Sequence, residues 1–103
     1  MSLIIKTSAP TGLLAAIKKE IDEGKIKTWE YDKDGDFTHN PDQWKNKAWL
    51  SPTVKVDRIE FSILKPKSVD ALSKAIKGVY FGRFIEMVSN HFESKFTSIE
   101  LSF

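Results

Sequence analysis

Two histidines, His39 and His91, are the side chains here best suited to exchanging a proton near neutral pH, and no cysteine is present to act as a nucleophile or thiolate ligand. Asp36 stands three residues before His39, a spacing at which a carboxylate could orient the imidazole as a general base. That base has no attached nucleophile, because no serine or threonine occupies a Gly-x-Ser-x-Gly setting. The histidines also lack the H-x-x-x-H spacing of a helical zinc site, so no metal centre is expected on them. Asp32, Asp34 and Asp36 alternate like the first ligands of a calcium loop. Counted from Asp32, however, the places that need glycine and a bidentate glutamate hold Phe37 and Gln43. A solvated hairpin turn is the better account of the three aspartates.

The stretch from Trp29 to Trp49 is the most distinctive. It holds all three tryptophans, Trp29, Trp44 and Trp49, together with Tyr31, Phe37 and His39, next to Lys27, Lys33, Lys45 and Lys47. Rings beside lysines can stack bases while the ammonium groups meet phosphates, although the aspartates of the same stretch oppose a phosphate backbone. The plain structural account is a satellite aromatic cluster bracing the connection against the rest of the fold. Among functional readings, protein binding ranks first, since Trp and Tyr are enriched at interface hot spots. Next comes an enzyme or small-ligand pocket lined by Trp29, His39, Trp49, Arg83 and His91, and then single-stranded nucleic-acid binding. The residues expected to carry a binding role are therefore Trp29, Tyr31, His39, Trp44, Trp49, Arg83 and His91. Arg58 and Arg83 are the only arginines and no phosphate-cradling glycine loop is present, so phosphoryl transfer and dinucleotide chemistry are disfavoured and no cofactor is expected.

The element that must position these groups is a long helix expected over Ser68–Phe92. Val69, Leu72, Ile76, Tyr80, Phe84, Met87 and His91 recur at three or four residues, and Phe81, Ile85, Val88 and Phe92 widen the apolar face. Arg83, Glu86, Ser89 and Asn90 form the remaining polar strip, and His91 should lie partly buried on the apolar side. Ser68 is the expected cap, with Asp70 in the first turn. Gly78 and Gly82, one turn apart, call for either close approach of another backbone or a break in the helix. Either the first helix of the same chain or a symmetry mate would supply that backbone, and in the second case the helix offers a homodimer interface.

Upstream, Leu3–Thr7 reads as a strand. Ser8 or Thr11 then caps an amphipathic helix carrying Pro10, Leu13, Leu14, Ile17 and Ile21, which ends at Gly24. Lys25–Tyr31 and Phe37–His39 flank an Asp-Gly hairpin turn, and Asn40-Pro41-Asp42-Gln43 has the form of a short helix start. Lys47–Leu50 reads as a strand stopped by Ser51-Pro52. Between Thr53 and Leu64 the alternation changes parity, which places a turn or bulge near Asp57. Thr97–Phe103 alternates as a closing strand.

The order β-α-β-β-(short helix)-β-β-α-β over residues 1–103 predicts a single α+β domain, a mainly antiparallel sheet with two helices on one face. Sixteen basic against fourteen acidic residues leave a formal net charge of +2, too little to imply a polyanionic partner. No apolar run approaches the length of a membrane span or a secretory core, so a cytoplasmic protein without membrane contact is expected.

Overall fold

The computed structural model describes residues 2–103. It is an α+β fold in which six antiparallel strands make one sheet: β1 (Ser2–Lys6), β2 (Trp29–Tyr31), β3 (Phe37–His39), β4 (Trp49–Val54), β5 (Arg58–Leu64) and β6 (Ser98–Ser102), in the spatial order β2-β3-β4-β5-β1-β6. Helix α1 (Pro10–Asp22) follows β1, and α2 (Lys74–His91) precedes a short 3-10 helix, Glu93–Lys95, and β6.

Register gathers the apolar residues on one sheet face. Leu3 pairs with Phe61 and Leu101, Ile5 with Ile59 and Ile99, Leu50 with Ile63 and Phe37, and Tyr31 with Phe37. Because side chains alternate along a strand, each such pair shares a side. The parity change predicted near Asp57 is the hairpin between β4 and β5, where the Lys55 N–H donates to the Arg58 carbonyl at 2.8 Å. Phe84 of α2 packs against this face, its ring 4.8 Å from Phe61, 5.6 Å from Phe37 and 5.0 Å from Trp29 by centroids. The α1 residues Leu13 and Ile17 are buried in the same core, and Asp22 at its end accepts a 2.7 Å hydrogen bond from the Tyr31 hydroxyl.

Several boundaries differ from the sequence reading. α2 begins at Lys74, not near Ser68: Ser73 is the cap, its Oγ accepting from the Ile76 N–H at 3.2 Å, so Asp70 lies outside the helix and Val69 is exposed. The helix runs unbroken through Gly78 and Gly82, and a Cβ built on either would meet nothing within 4 Å, so neither the break nor a close intrachain approach exists. His91 is exposed at the C-terminal end, its side chain 34% accessible, whereas the next residue, Phe92, continues the buried row of Met87 and Val88. β2 covers only Trp29–Tyr31 of the expected Lys25–Tyr31. β4 continues through Pro52 to Val54, because beyond Leu50 it has β5 on one side only and an edge position tolerates a missing N–H. Ala9, rather than Ser8 or Thr11, is the N-cap of α1, without a side-chain capping bond, and Pro10 takes the first helical position.

Gly82 provides a direct stability test. It is exposed, mid-helix and unobstructed, so Gly82→Ala is expected to stabilise the monomer by about 1 kcal/mol in urea denaturation. A loss of stability instead would indicate that another chain's backbone lies against this row.

Candidate functional site

Two pieces of irregular chain meet the C-terminal half of α2. The first is set by how α1 ends. Gly24 takes φ +75°, its N–H donates to the Ile21 carbonyl at 3.1 Å, and the Lys25 N–H reaches the Glu20 carbonyl at 2.9 Å. This left-handed ending turns the chain so that Lys25–Thr28 crosses towards α2, anchored by buried Ile26. The second piece is the connection after β3. Where a short helix was expected there is a single hydrogen-bonded turn: the amides of Trp44 and Lys45 both donate to the Pro41 carbonyl, at 2.8 and 3.0 Å, and Asn46 at φ 60° ends the turn.

That connection is fastened from inside. β3 and β4 pair only at Phe37 and Leu50, so they part towards Thr38 and Ala48. Into this gap comes the hydroxyl of Tyr80, which donates to the Trp44 carbonyl. Thr38 Oγ1 lies 3.0 Å from both Tyr80 Oη and the Ala48 carbonyl and accepts from the Asn46 N–H at 3.2 Å. Buried polar groups are thereby satisfied by one another.

Between the two pieces and α2 lies a cleft of about 500 Å³, a size typical of small-molecule sites. Its walls are Lys25–Trp29 on one side, Pro41, Gln43 and Trp44 on another, and Arg83, Glu86, Met87, Asn90 and His91 of α2, with His39 among the lining residues. Three cations, Lys25, Lys27 and Arg83, stand against one carboxylate, Glu86. Arg83 and Glu86 approach to 3.4 Å, but both are more than half exposed, so their mutual attraction is weak and leaves both available. His91 Nδ1 is 3.1 Å from Glu20 Oε1, which ties the end of α2 to α1.

His39 is only 5% exposed, and its ring stacks on Trp29 at 4.8 Å. Its Nδ1 lies 2.9 Å from the Thr28 carbonyl. A carbonyl cannot donate, so Nδ1 carries the proton and Nε2 presents a lone pair. No described residue hydrogen-bonds to Nε2, and no fully buried side-chain nitrogen or oxygen among the described residues lacks a partner, so Nε2 is not fully buried, and His39 lines the cleft. Burial lowers the His39 pKa below its ordinary 6.5, and nearby Arg83 lowers it further, against the Thr28 hydrogen bond and Glu86, which raise it. An unfolded chain therefore binds this proton more readily. Stability from His39 is fully present above pH 6.5 and is lost as the pH falls towards the lower folded-state value. The expected result is a lower urea midpoint at about pH 5 than at about pH 7.5, with the difference reduced in His39→Gln.

The cleft thus unites Trp29, His39, Trp44, Arg83 and His91. Trp49 lies elsewhere, paired with Leu64 on the sheet face opposite Leu50 and Phe37, and Tyr31 is engaged by Asp22 and by Lys18, whose Nζ sits 5.4 Å from its ring centroid. Trp29 is sealed at 1% exposure and Trp44 is half-buried. Lys25, Lys27, Gln43 and Asn90 were missed as cleft residues, because only the Gly24 ending and the folded connection bring them together. Asp36 does not bond to His39. Instead Asp32 Oδ1 accepts the amides of Asp34 and Asp36, each at 3.0 Å, which closes the turn and gathers the three carboxylates within 4.8 Å of one another. No helix among the described residues is long and apolar enough to cross a membrane. Comparison with known proteins returns no matching family model, curated protein or solved structure.

Proposed function

We propose that this chain is a small-ligand-binding domain whose site is the cleft between α2 and the segments Lys25–Trp29 and Pro41–Trp44. The observation that carries this reading is His39: a nearly buried ring, held by the Thr28 carbonyl, with an unpaired Nε2 on a cleft of ligand size. A nearly enclosed acceptor with no protein partner beside a cavity is matched by water or by a ligand that fills it. Binding is favoured over catalysis because His39 hydrogen-bonds to no hydroxyl that it could activate. A protein-binding surface running from Trp29 to Trp49 is less well supported, since its three indoles occupy the core, the cleft wall and the opposite sheet face.

A panel of small anionic, neutral and cationic compounds, followed by thermal shift and by tryptophan fluorescence, tests the proposal. At least one class should raise the melting temperature saturably and perturb the half-buried Trp44. Asn90→Trp, at an exposed position on the cleft wall, should abolish the effect without unfolding the protein. A panel without any saturable binder, or binding indifferent to Asn90→Trp, would refute it.

A further inference from the structure

The cleft is polar in an ordered way. At depth, His39 can only accept, because its one ring proton is committed to Thr28. Protonating Nε2 is opposed by burial and by Arg83, so the acceptor state is the resting one. An anion seated directly on Nε2 would face a lone pair and, beside it, the carboxylate of Glu86. Further out the sign reverses: Lys25, Lys27 and Arg83 outnumber Glu86, and all three are exposed, Lys25 in a 3.4 Å surface pair with Glu23 that is weak enough to give way to a ligand. His91 is held by Glu20 through Nδ1 at that end.

We infer that the ligand is a small molecule with two features: an anionic group held by Arg83 and the Lys25 and Lys27 ammonium groups, and an N–H or O–H donor that reaches His39 Nε2. This rests on the ligand-binding reading of the cleft and specifies its chemistry. Guanidinium and ammonium groups suit a carboxylate or phosphate alike, whereas the buried acceptor discriminates, since a ligand without the donor leaves Nε2 unpaired in a desolvated site.

Three related probes, 4-hydroxybenzoate, benzoate and 4-hydroxybenzamide, separate the features. Titrated at millimolar concentrations and followed by amide NMR shifts, 4-hydroxybenzoate should bind about tenfold more tightly than benzoate, which lacks the donor, and than the amide, which lacks the charge. Arg83→Gln, at an exposed position, should remove the preference over the amide and leave that over benzoate. His39→Phe should do the converse. In the unaltered protein the preference over benzoate should fade as the pH drops through the His39 titration, because imidazolium turns Nε2 into a donor. Equal binding of benzoate and 4-hydroxybenzoate near neutral pH, or a preference over benzoate that stays unchanged as the pH falls through the His39 titration, would overturn the inference, as would shifts insensitive to Asn90→Trp. If the three probes fail while neutral or cationic members of the wider panel bind, this chemistry is wrong and the cleft reading stands. If nothing binds, both fall.

Discussion

Phe84→Ala is expected to cost about 3–5 kcal/mol and to lower the melting temperature by more than about 10 °C. Phe84 is fully buried, and its ring touches Trp29 of β2, Phe37 of β3 and Phe61 of β5, so a single side chain joins the outer hairpin, the middle of the sheet and α2. Truncation leaves a cavity among three rigid rings that cannot collapse cheaply, which places the loss towards the upper end for such a change. Domains of this size have total stabilities of about 5–15 kcal/mol, so the variant should be partly unfolded near body temperature. Far-UV circular dichroism melts check this directly; a shift below a few degrees would mean that α2 is not seated on the sheet as described.

The second large effect is expected from removing one oxygen. Tyr80→Phe keeps the ring, which packs edge-on to Trp29 at 5.8 Å, but deletes the hydroxyl that donates to the Trp44 carbonyl and meets Thr38 Oγ1. That carbonyl keeps the Lys47 N–H at 3.2 Å but loses its hydroxyl donor, a cost of about 0.5–1.5 kcal/mol. The readout that distinguishes this from general destabilisation is local. Amide exchange at Asn46, whose N–H donates to Thr38 Oγ1, should accelerate more than exchange in β1 or β5, and ligand binding in the cleft should weaken because Trp44 forms one wall. Thr38→Val should reproduce the exchange pattern, since it removes the Asn46 acceptor from the same gap.

Strands with a half-buried pattern were legible in the sequence. Leu3/Ile5, Ile59/Phe61/Ile63 and Ile99/Leu101 alternate over enough residues to fix both type and facing, and the structure pairs those same residues. The Asp-Gly turn and the Gly24 helix ending were legible for a different reason: each needs a positive φ, and glycine supplies it at +82° and +75°. The start of α2 was not. Val69 and Leu72 fall in step with Ile76 by spacing alone, and Ser68 and Ser73 are chemically equivalent caps, so spacing and residue type do not choose between them. Pro52 misled for a related reason, because whether proline ends a strand depends on whether a neighbour lies alongside it, which sequence does not show.

The site was legible in part. His39, Arg83, His91 and Trp29 were singled out because histidines and arginines are scarce and tryptophans cluster. Lys25, Lys27, Gln43 and Asn90 look like ordinary surface residues, and nothing in their spacing foretells that two loops fold toward α2. Trp49 was included by proximity in sequence to Trp44, but the entry into β4 sends it to the other side of the sheet.

The single ladder position between β3 and β4 carries a liability for handling this protein. The β2–β3 hairpin is fastened to the rest chiefly by rings, so variants that loosen those rings would release it as one flap and uncover the inner margin of β4. Bare strand margins recruit other chains, and such variants should therefore precipitate during concentration before their helices melt.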